Sequence, residues 1–210
     1  MNNETASTAR RALCAICLRP QQTCICRWVT PLPNQVEVLI LQHPMEVSNA
    51  KGSARLLHLS LSNSRLEVGE AFDAQRLRGL LSPERRNVLL YPESVADPSL
   101  GLAAPQPFDP AWVHTPQHLR LVVLDGTWRK SRKMLYLNPL LQSMPRLPLR
   151  DVPPSHYLIR KAHLPDQLST LEATAYALAQ LENNINKFSP LIAAFDGFVA
   201  QQAGYVRKSA

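Results

Sequence analysis

The feature that most limits how this chain can fold is the run Leu119-Arg120-Leu121-Val122-Val123-Leu124. A short, β-favouring and nearly continuous apolar run describes a strand covered on both faces, so its sheet needs a layer on each side. The run stops at Asp125-Gly126-Thr127, and a helical pattern opens near Thr127 and must end before Pro139. A second strand of the same kind is expected at Val36–Leu41, a shorter one at Asn87–Tyr91, and another at His156–Arg160. Helical spacing appears around Ala50–Leu61. It returns after Ser169-Thr170-Leu171-Glu172, a capping box followed by Leu171, Ala175, Leu178, Leu181 and Ile185, which predicts an amphipathic helix to about Lys187. Strands alternating with helices give an α/β fold with a mainly parallel sheet.

Length and composition bound the rest. A chain of 210 residues with 45% hydrophobic and 19% charged residues suits one compact domain with a small appendage. Residues 1–12 read as a disordered tail, 13–30 as a small cysteine-bearing unit and 31–210 as the α/β domain. No run of apolar residues is long enough to cross a membrane, and the polar N-terminus lacks a secretory signal. A reducing, cytoplasmic location is therefore expected, with no obligatory protein partner. The stretch 92–118 holds six prolines and is too long for a simple connection, so a flap over a site and a packed loop are both open.

All four cysteines fall within thirteen residues, as Cys14-x-x-Cys17 and Cys24-x-Cys26. Four thiolates at this spacing can close a tetrahedral zinc site, and metal binding would order a segment too small to own a core. Four sulfur ligands leave no open position, so the ion would be structural. The competing reading is four unrelated buried or redox cysteines.

The net charge is +7, and its position matters more than its size. Between Leu119 and Lys161 nine basic residues meet only Asp125 and Asp151, which accounts for the whole excess. A neutral body with one basic segment fits a polyanion such as RNA, although a merely solvated surface is the plain alternative. Within it Arg129, Arg132, Lys133 and Tyr136 recur at helical spacing and share a face. Trp128 fits either the core or a stacking surface.

Asp125 ends a buried strand and precedes a helix, where open α/β sheets bind ligands. Capping of the helix is the other open reading. The neighbourhood looks like the Asp-x-Asp-Gly-Thr of haloacid-dehalogenase phosphatases, but Val123 stands where their nucleophilic aspartate would be, which excludes a phosphoenzyme.

Asp125-Gly126-Thr127-Trp128-Arg129-Lys130 resembles the Asp-x-Thr-Trp signature of the DTW-domain family. Further features follow in family order: the four cysteines, Gln42-His43-Pro44-Met45-Glu46, Leu90-Tyr91-Pro92, Arg160-Lys161 and Ser169-Thr170-Leu171-Glu172-Ala173. The ordered set is most similar to the bacterial tRNA-uridine aminocarboxypropyltransferases. One departure is Gly52-Ser53, where an Asn-Thr or similar pair is expected.

The resemblance implies a core similar to that of the knotted SPOUT methyltransferases and a tRNA partner. It implies transfer of the 3-amino-3-carboxypropyl group of S-adenosylmethionine to N3 of a tRNA uridine, releasing methylthioadenosine. Uridine N3 must lose its proton to react, and Asp125 is the expected base. The resemblance places the co-substrate against Pro92, Leu124, Gly126, Thr127, Trp128, Leu158, Thr170, Leu171 and Glu172. Glu172 could serve only as a cap. It assigns tRNA phosphates to Arg129, Lys130, Arg132, Lys133, Arg160 and Lys161. The rivals are a SPOUT-type RNA methyltransferase, separable by its adenosylhomocysteine by-product, and a non-enzymatic RNA-binding module, separable by the absence of cofactor binding.

Overall fold

The computed structural model describes residues 12–92, 105–149, 152–155 and 168–208. Five strands, β1 (Glu37–Gln42), β2 (Ser64–Val68), β3 (Arg86–Leu90), β4 (Leu119–Asp125) and β5 (Arg146–Leu147), make one sheet ordered β2-β1-β4-β3-β5. Every neighbouring pair is parallel, as the sequence predicted for the sheet as a whole. The helices are α1 (Ala54–Ser60), α2 (Ala74–Leu80), α3 (Trp128–Leu137), α4 (Pro139–Gln142), α5 (Thr170–Leu181) and α6 (Ser189–Lys208).

Successive residues on a strand face opposite sides, and the core divides accordingly. Val38, Ile40, Leu121 and Val123 pack with α1, α5 and α6, while Leu39, Leu41, Val122 and Leu124 pack with α2, α3 and α4. All residues of β1 and β4 are buried, which is why both were readable as apolar runs. β2 and β5 went unforeseen. β2 is a half-exposed edge strand with the mixed sequence Ser-Arg-Leu-Glu-Val, and β5 is two residues long. The strand expected at His156–Arg160 lies outside the described residues.

Helix boundaries also moved. α1 starts at Ala54 rather than Ala50, because a 3-10 turn at Pro44–Glu46 and further turns occupy the approach to it. α5 has the predicted capping box in full but stops at Leu181; Asn183 then turns the chain with φ 48°, and Ile185 is 86% exposed instead of core-facing. The longest helix, α6, was hidden by Asp196-Gly197 and Gly204, residues that in isolation signal a break. Gly197 is needed there because the Trp28 ring lies against it. The described end of the proline-rich stretch forms two 3-10 turns, Pro110–His114 and Pro116–His118, with Trp112 packed edge-on against Phe108 at 5.7 Å. Among the described residues no helix is long and apolar enough to cross a membrane.

The topology fixes where a site can form. The chain leaves β1 through α1 toward β2 on one edge, and leaves β4 through α3 and α4 toward β5 on the other. Helices α1 and α3 lie on opposite faces, so a crevice opens at the carboxyl ends of β1 and β4.

A Cβ at Gly197 would overlap the Trp28 indole, which is pinned by its Nε1–H donating to Gln201. Gly197→Ala therefore should lower stability by about 1–3 kcal/mol despite the better helix propensity of alanine. Urea unfolding would show the midpoint fall, and an unchanged midpoint would show that the indole has room to move.

Candidate active site

Asp125 closes β4 inside the crevice and is 5% exposed. Its Oδ2 accepts from Gln42 Nε2 at 2.9 Å, and its Oδ1 accepts from the Thr170 hydroxyl at 2.7 Å. Gln42 ends β1 and pairs with Asp125 in register, while Thr170 is the first residue of α5. The backbone N–H of His43 donates to the Asp125 carbonyl at 2.9 Å, closing the two strand ends together. A buried carboxylate held by donors from two other elements is a fixed acceptor.

The caps around it are supplied by neighbouring residues. Thr127, not Asp125, caps α3, its hydroxyl accepting from Lys130 N–H at 3.4 Å. At α5 the Ser169 hydroxyl accepts from Glu172 N–H at 3.1 Å and Glu172 Oε2 accepts from Ser169 N–H at 2.7 Å. Glu172 is fully buried and also accepts from the Ser155 hydroxyl, at 2.9 Å on Oε2. Ser53, at the position where the chain departs from the family pattern, keeps a use for its hydroxyl: it accepts from Leu171 N–H at 3.2 Å.

A cavity of about 270 Å³ occupies the crevice, walled by residues after β1, residues after β4 and the start of α5. In its wall Lys130 Nζ lies 2.7 Å from Glu46 Oε1, and Asn49 Nδ2 donates to Glu46 Oε2 at 2.7 Å. Beside it His43 Nδ1 accepts from Met45 N–H at 3.1 Å, so its proton sits on Nε2 and is directed at Glu70, 2.9 Å away. Lys133, 2.9 Å from Glu70, and then His43 hold that carboxyl below the usual range.

Trp128 is 52% exposed and meets Tyr91 edge-on at 5.7 Å. It is thus on the surface and not in the core. Arg146 is buried, lies over the Tyr91 ring at 5.2 Å and donates to the Pro92 carbonyl at 3.3 Å. Burial lowers the affinity of its guanidinium for a proton. Arg129, Arg132, Lys133 and Tyr136 form an exposed face of α3, as the spacing predicted. Lys130 turns inward to Glu46. Arg120, counted in the basic segment, is 4% exposed and bound to Glu37 at 3.0 Å, so it belongs to no outer surface.

The four cysteine sulfurs lie within 4.8 Å of one another and can hold a metal ion. Cys14 and Cys26 Sγ are 3.6 Å apart and Cys17 and Cys24 Sγ 3.8 Å. Metal–sulfur bonds of about 2.3 Å in a tetrahedron need sulfur separations of about 3.8 Å, so the donor set fits zinc. Backbone amides of Cys17 and Ile16 bring the Cys14 thiol down to about 6, whereas burial pushes Cys26 up to about 12. Arg19, on the same segment, donates to the Ala50 carbonyl at 2.6 Å and the Gly52 carbonyl at 2.7 Å, tying the cysteine unit to the cavity wall.

Of the expected site residues, the structure gathers Asp125, Gly126, Thr127, Lys130 and Thr170 around the cavity. Leu124 and Leu171 are buried beneath it, and Pro92 and Trp128 stand with Tyr91 and Arg146. Leu158, Arg160 and Lys161 lie outside the described residues. Gln42, Glu46, Asn49 and Lys51 were missed as site residues, although polar residues immediately after a buried strand carry the same signal that singled out Asp125.

Residues 11–203 match the model of the DTW domain. The chain is 31% identical over 181 residues to mouse tRNA-uridine aminocarboxypropyltransferase 2, covering 83% of this chain and 58% of the mouse protein. It is 32% identical over 185 residues to the enzyme of the same name from Drosophila melanogaster, 83% of this chain and 68% of that one. It is 28% identical over 144 residues to tRNA-uridine aminocarboxypropyltransferase A of Arabidopsis thaliana, 64% of this chain and 54% of the plant protein. The chain thus spans well under two thirds of the mouse and plant relatives. No solved structure matches it. The chain belongs to the DTW-domain family.

Removing one donor from a buried carboxylate leaves it partly unsatisfied, at a cost of about 1–3 kcal/mol. Thr170→Val keeps the side-chain shape and deletes the hydroxyl on Asp125. Calorimetry should show a lower Tm for this variant, and an unchanged Tm would mean the contact adds nothing to stability.

Proposed function

We propose that this protein is a tRNA-uridine aminocarboxypropyltransferase, as its relatives are named, acting on N3 of a uridine. The observation that carries the reading is Asp125, fixed by Gln42 and Thr170 against a cavity at the switch point of a family-defining fold. S-adenosylmethionine, used as co-substrate, supplies the 3-amino-3-carboxypropyl group. N3 gives its proton to the Asp125 carboxylate as the new nitrogen–carbon bond forms. The carbon–sulfur bond breaks with its electron pair on sulfur, and methylthioadenosine leaves. A fixed carboxylate both positions N3 and accepts its proton, which orients the acceptor before reaction.

The remaining assignments belong to the same reading. Trp128, exposed beside Tyr91, offers a ring face to a base, and Pro92, Leu124, Gly126, Thr127, Leu158, Thr170, Leu171 and Glu172 are assigned to the co-substrate, Glu172 mainly as a cap. Arg129, Arg132, Lys133, Arg160 and Lys161 meet tRNA phosphates. Cys14, Cys17, Cys24 and Cys26 hold structural zinc, which orders the segment; the free thiols suit a cytoplasmic protein. The parallel sheet supports a SPOUT-like core.

The test is mass spectrometry of nucleosides from unmodified tRNA incubated with the protein and S-adenosylmethionine. A uridine carrying one added aminocarboxypropyl group is expected, with methylthioadenosine released. A methylated base with adenosylhomocysteine would make the protein a methyltransferase, and no cofactor binding would make it an RNA-binding module. Asp125→Asn should fold and bind the co-substrate but turn over about 10²–10⁴-fold more slowly. Unchanged turnover would remove Asp125 from the chemistry. Arg132→Ala should weaken binding of all tRNAs alike and reduce the salt slope by about 1. A variant that kept affinity and slope would take α3 out of the interface.

A further inference from the structure

We propose that the Glu46–Lys130 pair, with Lys51, is a zwitterion clamp that holds the α-amino and α-carboxyl groups of the co-substrate and so selects which of its carbons is transferred. The inference rests on the donor assigned above. It goes beyond it by giving Glu46, Lys51 and Lys130 a ligand end that the family resemblance did not assign to them.

The character of the cavity is the first observation. At about 270 Å³ it lies at the lower end of the range of about 300–1,000 Å³ that encloses a drug-sized ligand, a size suited to one end of the donor. Among the described residues no aliphatic or aromatic side chain lines it. A nucleobase site wants apolar faces, and the aromatic pair Tyr91–Trp128 lies elsewhere. The adenosine is therefore a poor occupant.

Charge is the second observation. The wall carries two carboxylates, Glu46 and Asp125, and two ammonium groups, Lys51 and Lys130. A phosphate would meet both carboxylates at close range, which disfavours it. A group bearing one ammonium and one carboxylate finds a partner for each. The aminocarboxypropyl arm is the only part of the donor with both. Its ammonium would join Glu46, already oriented by Asn49, and its carboxylate would meet Lys130 and Lys51.

The position of the clamp gives it a consequence. Asp125 lines the same cavity, so an arm anchored at Glu46 and Lys130 has its γ-carbon beside the carboxylate that receives the N3 proton. Carbon–nitrogen bond formation at the γ-carbon, with the electron pair of the broken bond leaving on sulfur, is then favoured by orientation over methyl transfer.

Calorimetric titration of three ligands separates the alternatives. S-adenosylmethionine and S-adenosylhomocysteine both carry the amino-acid arm, the second without the positive sulfur, and methylthioadenosine lacks the arm. For Lys130→Ala, Glu46→Gln and Lys51→Met, affinity for the two armed ligands should fall about tenfold or more, while methylthioadenosine keeps its wild-type affinity within about twofold. Retained methylthioadenosine binding also shows that each variant is folded. Equal weakening of all three ligands, or of none, would overturn the clamp. Weakening of S-adenosylmethionine alone would show that these residues answer the sulfonium charge and not the arm, which also overturns it. If the wild-type protein bound none of the three, the donor assignment itself would fail.

Discussion

The pairing of β1 with β4 is locked at both ends by polar side chains that meet in one register only. At the amino ends Glu37 lies opposite Arg120, and at the carboxyl ends Gln42 lies opposite Asp125. Between them every residue is apolar and buried. A slip of one residue would turn each of these polar groups into the opposite apolar layer, so the register is strongly specified. The lower lock is an ion-pair cluster, in which Glu37 also takes Arg85 at 2.8 Å and Arg120 also donates to Asn87 at 3.0 Å. The upper lock instead opens onto the cavity. One pair of strands thus carries a buried polar cluster at one end and the cavity-lining carboxylate at the other.

The start of α5 shows how the same few residues divide stability from chemistry. Ser169 and Glu172 satisfy each other's backbone amides, and Ser53 satisfies the amide of Leu171. Because the cap is complete without it, the Thr170 hydroxyl is available to hold Asp125. The capping box explains two of these side chains, Ser53 adds a third from outside it, and the fourth has no capping role. That fourth one marks the site.

The central strands were legible in the sequence because burial on both faces removes alternation and leaves an apolar run. The edge strands were not, since β2 is half exposed and β5 has too few residues to show a pattern. α6 was concealed by glycine, and only the Trp28 ring packed against Gly197 gives that glycine a reason inside a helix. The cysteine cluster was readable from spacing alone. The charge count misjudged Arg120 and Arg146, because a formal charge does not reveal whether its side chain is buried against a carboxylate or a tyrosine ring. Asp125 could be placed at a strand end, but its partners Gln42 and Thr170 come from distant parts of the chain, and nothing local announces a contact across the sheet.

The cysteine segment rests on α6. Gln201 accepts from Trp28 and donates to the Cys24 carbonyl at 3.1 Å, and the Tyr205 hydroxyl donates to the Gln22 carbonyl at 2.7 Å. The covering helix is therefore made well after the cysteine segment that its residues hold. At about 5–20 residues per second, the ribosome separates the two by on the order of ten seconds. During that interval the four thiols have no helix over them, so a nascent chain meets metal and oxidant before its own cover arrives.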